Sequence, residues 1–66
     1  HMITEAVDLE NKTLVDTRAA AEILGMSQVT LELWRSKRKG PAYYKIGNAV
    51  RYATEDLDDY VTRIEP

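Results

Sequence analysis

Residues 17–34 (TRAAAEILGMSQVTLELW) constrain the fold of this chain more than any other stretch. They predict two short helices joined by a sharp turn at Gly25, where glycine adopts a left-handed backbone at little cost. Thr17 and Ser27 are the predicted N-caps, because a hydroxyl oxygen accepts a hydrogen bond from a free first-turn N–H. The inner side of the first helix carries Ala20, Ala21, Ile23 and Leu24. Two helices across a short glycine-containing turn are typical of a helix-turn-helix unit, whose second helix normally lies in the DNA major groove.

The second helix, predicted over residues 28–38, has a core side and an exposed side at 100° per residue. Leu31 and Trp34 fall on the core side, together with Arg38. Because Trp34 is in phase with Leu31, we interpret it as a core anchor and not as a wedge between bases. The sequence Gly40-Pro41 is predicted to end this helix, since proline cannot continue it.

The exposed side of the second helix is the surface predicted to meet base edges. The residues predicted to face bases are Gln28, Val29, Glu32 and Leu33, and Ser36 falls on the same side of the helix. Gln28 is suited to adenine, the two apolar side chains to a thymine methyl group, and Glu32 to the N4 amino group of cytosine. A second interpretation stays open, in which Val29 and Leu33 cover a neighbouring element or a partner protein.

The charge distribution indicates one positive face on a chain whose formal net charge is −2. Residues 35–52 contain six cations and no acid, whereas acids outnumber cations on both sides of this segment. Such a basic stretch favours contact with phosphates, although a charge run at a helix C-terminus is also a common solvated feature. The residues predicted to face phosphates are Arg35, Lys37, Arg38, Lys39, Lys45, Asn48 and Arg51.

Residues 43–53 (YYKIGNAVRYA) predict a β-hairpin, and two registers are conceivable. A two-residue loop at Gly47-Asn48 sets Tyr44 opposite Arg51 and mixes polar and apolar residues on each face. A three-residue loop sets Lys45 opposite Arg51 and collects the apolar residues on one face. We therefore predict the three-residue loop, with a phosphate between the two cations and the hairpin against the DNA backbone or in the minor groove.

A third helix is predicted after Thr54, which is the expected N-cap, with acids in its first turn. Its apolar residues, including Ile64, recur at helical spacing and close the core. The adjacent acids Asp58 and Asp59 point about 100° apart, which argues against a catalytic carboxylate pair. The predicted core consists of Leu24, Leu31, Trp34, Ile46, Val50, Tyr52, Leu57, Tyr60 and Val61.

The length of 66 residues predicts one small domain, over residues 14–64, after an N-terminal tail over residues 1–13. A chain of this size buries only about 60% of its unfolded surface. His1-Met2 is interpreted as a tag remnant. Without cysteine and with one histidine, the composition predicts no metal site and no cofactor. No apolar run is long enough for a membrane span or a signal peptide. The absence of cysteine fits a reducing cytoplasm, where we expect this protein.

Three blocks of residues resemble the winged helix-turn-helix domains of the MerR superfamily, including phage excisionases and AlpA-like regulators. They are Ala20-Ala21-x-x-Leu24-Gly25-x-Ser27-x-x-Thr30-Leu31-x-x-Trp34, Gly40-Pro41-x-Tyr43-x-Lys45-Ile46-Gly47, and Arg51-Tyr52 followed by Asp56-Leu57-x-x-Tyr60-Val61. The resemblance covers residues 14–62. It implies a mainly α fold with three short helices and a β-hairpin wing. The exposed side of the second helix departs from the family, where this surface is often rich in arginine.

The motifs predict a sequence-specific protein that binds double-stranded DNA and has no enzymatic activity, since no nucleophile–base set or glycine-rich phosphate loop is present. The resemblance implies a phage-type excisionase. Such a protein binds and bends attachment-site DNA as side-by-side copies and directs an integrase toward excision. Two alternatives stay open. One is a small AlpA-like or MerR-like transcription regulator, and the other is a protein-interaction adaptor with little DNA contact. No small-molecule ligand or membrane partner is expected.

Overall fold

The computed structural model describes residues 12–66 of the chain, so most of the predicted tail lies outside the described residues. The last two tail residues are part of the fold. The Lys12 ammonium forms an ion pair with Glu55, and the Thr13 carbonyl accepts a hydrogen bond from the Thr54 amide at 2.9 Å. Because the Glu55 carboxylate accepts its hydrogen bond, the pKa of Lys12 is raised above its usual value. Lys12 is therefore held in its charged form by this contact.

The described residues form three helices and a three-stranded antiparallel sheet of order β1-β3-β2. In chain order the elements are β1 (Leu14–Val15), α1 (Thr17–Leu24), α2 (Gln28–Ser36), β2 (Tyr44–Ile46), β3 (Ala49–Ala53) and α3 (Thr54–Tyr60). This arrangement is the winged helix-turn-helix fold that the sequence predicted. The strand β1 was not predicted, because two residues are too short to show an alternating pattern.

The start of α1 differs from the prediction by one residue. Asp16, and not Thr17, is the N-cap, and its carboxylate accepts a hydrogen bond from the Ala19 amide at 2.8 Å. Because Asp is as good an N-cap as Thr, the local sequence does not show which of the two residues caps the helix. Thr17 is instead the first helical residue and is buried, which makes its hydroxyl available for a tertiary contact.

The turn between α1 and α2 has the predicted geometry. Gly25 has a φ of 68°, and the Met26 amide donates to the Ala21 carbonyl at 2.9 Å. Ser27 is the N-cap of α2, as predicted, and its hydroxyl accepts from the Thr30 amide at 3.1 Å. The first bond satisfies a carbonyl at the end of α1, and the second satisfies an amide at the start of α2, which the helices themselves leave unpaired. The turn therefore holds α2 at a defined position against α1.

The hairpin register predicted from the sequence is wrong. Tyr44 pairs with Arg51, Lys45 with Val50 and Ile46 with Ala49, so the loop has the two residues Gly47-Asn48. Gly47 has a φ of 61° and Asn48 has no positive φ, which is the pattern of a type II′ turn. This turn matches the twist of the two strands. Its geometry outweighs the sorting of polar and apolar residues between faces.

The core is smaller than predicted. Ala20, Ala21, Leu31, Tyr52 and Leu57 form its buried cluster, and Leu24, Trp34 and Val50 are partly buried against it. Three residues predicted in the core are instead exposed, namely Ile46, Tyr60 and Val61. Ile23, which was predicted on the inner side of the first helix, is exposed as well.

The third helix is shorter than its apolar spacing predicted. It ends at Tyr60, one residue before Val61 and four before Ile64, so the later positions do not continue its buried stripe. Its N-cap is Ala53, without a side-chain hydrogen bond, and not Thr54 as predicted. The Thr54 amide donates to the Thr13 carbonyl instead, so the extended chain before β1 satisfies a donor that a capping side chain would otherwise satisfy.

Candidate nucleic-acid interface

The exposed side of α2 consists of the residues that the helical periodicity predicted. Gln28, Val29, Glu32 and Leu33 are all exposed, whereas Leu31 on the opposite side is buried. The helix therefore presents one continuous surface to solvent. In helix-turn-helix proteins, residues toward the start of the second helix contact base edges in the major groove.

Two of these exposed residues are bonded to each other. The Gln28 side-chain amide donates to the Glu32 carboxylate at 3.2 Å across one helical turn. The Ser36 hydroxyl, farther along the same helix, donates to the Leu33 carbonyl at 2.8 Å. Gln28 therefore uses one of its two N–H donors within the helix, and Ser36 uses its hydroxyl hydrogen there.

Arg35 was predicted to face phosphates, but it is directed into the fold. Its guanidinium donates to the Thr17 hydroxyl at 3.0 Å and to the Tyr52 hydroxyl at 2.9 Å. It also lies 5.7 Å from the centre of the Tyr43 ring, within the range of a cation–π contact. Arg35 thus connects α1, α2 and the hairpin. The sequence feature that could have indicated this role is the position of Arg35 four residues after the buried Leu31, at the edge of the buried side of the helix.

The helix α2 ends at Ser36, two residues earlier than predicted, in a motif that uses the basic run. The Arg38 amide donates to the Arg35 carbonyl at 3.0 Å, and the Lys39 amide donates to the Trp34 carbonyl at 2.9 Å. These two bonds define a Schellman motif, in which the residue at the position of Arg38 is usually glycine. Arg38 has a φ of 57°, and it is the one described residue other than glycine with a positive φ.

The left-handed conformation of Arg38 costs about 1–2 kcal/mol in any residue with a side chain. Such strain is concentrated at functional sites in proteins, because selection for function tolerates it there. The motif turns the chain sharply after α2, so that the basic run Lys37-Arg38-Lys39 is exposed at the end of the exposed helix surface.

An open cleft of about 480 Å³ lies at the end of α2, where the chain continues toward β2. Its lining includes Arg35, Arg38, Lys39 and Tyr43, and it contains no acidic residue. Lys39 is held at the side of the cleft by Trp34, whose ring centre is 5.8 Å from the ammonium nitrogen. A cleft with three cations and no acid has the electrostatic character of an anion site.

The observed hairpin register separates the two hairpin cations. Lys45 pairs directly with Val50, and Arg51 is the next residue along β3, so Lys45 and Arg51 point to opposite faces of the ribbon. The predicted arrangement with one phosphate between them is therefore wrong. The Arg51 guanidinium donates to the Val50 carbonyl at 2.7 Å, and Asn48 is exposed in the loop.

Within residues 12–66, no three side chains of His, Cys, Asp or Glu are grouped so that they could bind a metal ion. None of the helices that the structure describes is both long enough and apolar enough to cross a membrane.

Comparison with known families decides the class of this protein. Residues 14–64 match the family model described as "Helix-turn-helix domain". The chain belongs to the helix-turn-helix domain family. It is therefore a DNA-binding helix-turn-helix protein, in which α1 and α2 are the two helices of the motif. No curated protein sequence matches the chain.

The left-handed backbone of Arg38, together with a DNA-binding role, gives a testable prediction. We expect Arg38→Gly to raise the melting temperature by a few degrees, because it relieves about 1 kcal/mol of left-handed strain, partly offset by the greater freedom of glycine in the unfolded chain. The same change should weaken DNA binding by roughly eightfold at 0.1 M salt, which is the effect of losing one phosphate contact. Thermal unfolding followed by circular dichroism and fluorescence anisotropy with a labelled duplex measure the two effects.

Lys37→Gly is the matched control for this change. Lys37 has a φ of −94°, so glycine relieves no strain there and should lower the melting temperature while weakening DNA binding to a similar degree. A lower melting temperature in Arg38→Gly, or unchanged DNA affinity, would contradict the functional explanation of the strain.

Proposed function

We propose that this protein is a phage-type excisionase that binds attachment-site DNA in a sequence-specific way and directs an integrase toward excision. The helix α2 lies in the major groove, and the hairpin β2–β3 contacts the adjacent backbone. The observation that carries this proposal is the exposed side of α2, which is followed directly by the basic run Lys37-Arg38-Lys39. Arg38 and Lys39 of this run line an acid-free cleft.

The two kinds of surface have different roles in this proposal, one in contact with bases and the other in contact with phosphates. The exposed side of α2 faces base edges, while the cations at its end and on the hairpin hold phosphates, which fix the position of the protein without reading the sequence. Arg35 supports this arrangement from inside, because it links α2 to Thr17 and Tyr52. The relative positions of the helix and the hairpin are therefore set before DNA is bound.

The excisionase role is supported by the family of the chain, which includes small excisionase-like and AlpA-like proteins. In this role several copies bind side by side, bend the DNA and contact the integrase. Membership of the MerR superfamily belongs to the same proposal. A small AlpA-like transcription regulator is the second candidate within DNA binding.

The number of phosphate contacts gives a quantitative test. Since Lys45 and Arg51 lie on opposite faces, one duplex contacts one of them together with the three cations after α2. Four contacts predict that the logarithm of the association constant falls with the logarithm of salt concentration with a slope of about −3.6. Fluorescence anisotropy with a labelled random-sequence duplex, between 50 and 200 mM salt, measures this slope.

Some results of this titration, and of a separate bending experiment, would contradict the proposal. A slope near zero, or no binding at protein concentrations of about 100 μM and 50 mM salt, would overturn DNA binding by this domain. It would support the adaptor, for which the exposed side chains Val29 and Leu33 form a contact surface for another protein. With attachment-site DNA, a circular-permutation gel tests bending, and straight DNA in the complex would count against the excisionase role.

A further inference from the structure

The hydrogen bond between Gln28 and Glu32 determines which atoms α2 presents to DNA. An ionised carboxylate only accepts hydrogen bonds, so the amide nitrogen of Gln28 must be the end that faces Glu32. The Gln28 carbonyl oxygen then lies on the other side. One of the two N–H donors of the Gln28 amide is therefore used within the helix, and the carbonyl oxygen is left free as an acceptor.

The rest of this surface has the same character. Glu32 is its only charged side chain among the described residues of the exposed side, and it contributes two acceptor oxygens. The Ser36 hydroxyl hydrogen is used by the Leu33 carbonyl, which leaves the hydroxyl oxygen as an acceptor. The remaining area is hydrocarbon, since Val29 and Leu33 are 70% and 49% exposed.

The one cation of α2 (Gln28–Ser36) does not compensate for this acidic character. This residue, Arg35, donates to Thr17 and Tyr52. The cations Lys37, Arg38 and Lys39 follow the end of the helix, where they are suited to phosphates. The surface that faces the bases is therefore rich in acceptors and apolar groups, and poor in donors.

The bases differ in how they meet such a surface. In the major groove, cytosine presents its N4 amino group and adenine its N6 amino group, and both are donors. Guanine presents only the acceptors N7 and O6, which a carboxylate repels, while thymine adds a methyl group that apolar side chains contact. We propose that the exposed side of α2 reads amino groups and thymine methyl groups, and that Glu32 excludes guanine from the contacted position.

This inference rests on the proposed DNA-binding function and specifies its target. Binding sites of the protein contain cytosine or adenine where Glu32 meets the groove, and thymine beside Val29 or Leu33. The affinity comes from phosphate contacts, whereas the selectivity comes from the rejection of wrong bases. Repulsion of unwanted partners is a common source of specificity in proteins.

Selection of duplexes from a randomised library tests this proposal with four proteins: the unchanged chain, Glu32→Gln, Glu32→Arg and the control Asp58→Asn. Asp58 is an exposed acid on α3, so its change removes the same charge outside the helix surface. For the unchanged chain we expect guanine to be depleted about tenfold at one position of the selected sites, within the range of one base contact. Glu32→Gln should reduce this depletion, and Glu32→Arg should convert it to a preference for guanine.

The outcomes separate this inference from the function on which it depends. Selected sites with guanine at the position sensitive to Glu32, or the same preferences in all four proteins, would overturn the inference and leave DNA binding intact. Failure of the unchanged chain to enrich any duplex would overturn both. Since Glu32 is exposed, its variants should unfold at the same temperature as the unchanged chain, which circular dichroism verifies.

Discussion

We expect Leu31→Ala to leave a large part of the protein unfolded at 25 °C. Leu31 is 1% exposed and packs in the cluster that joins α1, β3 and α3. Removing a buried leucine side chain costs about 2–5 kcal/mol, while a chain of this length has a total stability of about 3–10 kcal/mol. A loss of 2 kcal/mol alone lowers the melting temperature by about 8–16 °C. Thermal and urea unfolding followed by circular dichroism measure this loss.

The same helix offers a matched control in Leu33→Ala. Leu33 is exposed, so the same chemical change should alter stability by less than about 0.5 kcal/mol. Equal losses in the two variants would mean that the side of α2 assigned to the core is wrong. The comparison therefore tests the orientation of α2, on which the candidate interface depends.

The second large effect is expected for the triple change of Lys37, Arg38 and Lys39 to alanine. Each phosphate contact contributes roughly 0.9 logarithmic units to the association constant at 0.1 M salt, so loss of three contacts weakens duplex binding by roughly 500-fold. The salt slope should become less negative by about 2.7. Because these residues are exposed and follow α2, the fold should persist, with a change in stability of about 1 kcal/mol or less.

The control for this triple variant changes the three cations outside residues 35–52, which are Lys12, Arg18 and Arg63. Both triple variants have the same net charge, so they separate the position of the cations from the total charge. We expect the control to weaken binding by less than tenfold. Similar losses in both variants would show that the basic run makes no direct phosphate contact.

Much of the fold is predictable because it depends on local chemistry. The glycine turn and the Ser27 cap are set within a few residues, and the structure has both where the sequence indicated them. Helical periodicity also separates the buried Leu31 from the exposed Val29 and Leu33 without knowledge of the neighbouring elements. These features explain why the winged helix-turn-helix fold could be predicted from the sequence.

The site was less predictable, since its decisive contacts join residues that are distant in the sequence. Arg35 looks like one more cation of a basic run, but Thr17 and Tyr52 bring two hydroxyl acceptors to its guanidinium. Neither residue is closer than seventeen positions along the chain. The inward direction of Arg35 follows from tertiary packing, which no local pattern contains.

The hairpin illustrates the same division within a single motif. The sequence by itself determined that two strands are joined near Gly47, because alternating residues on either side of a glycine turn allow little else. The register was decided in the tertiary structure, where the type II′ turn and the pairing of β1 with β3 act together. A shift of one residue exchanges the two faces, so these backbone constraints, and not charge, separated Lys45 from Arg51.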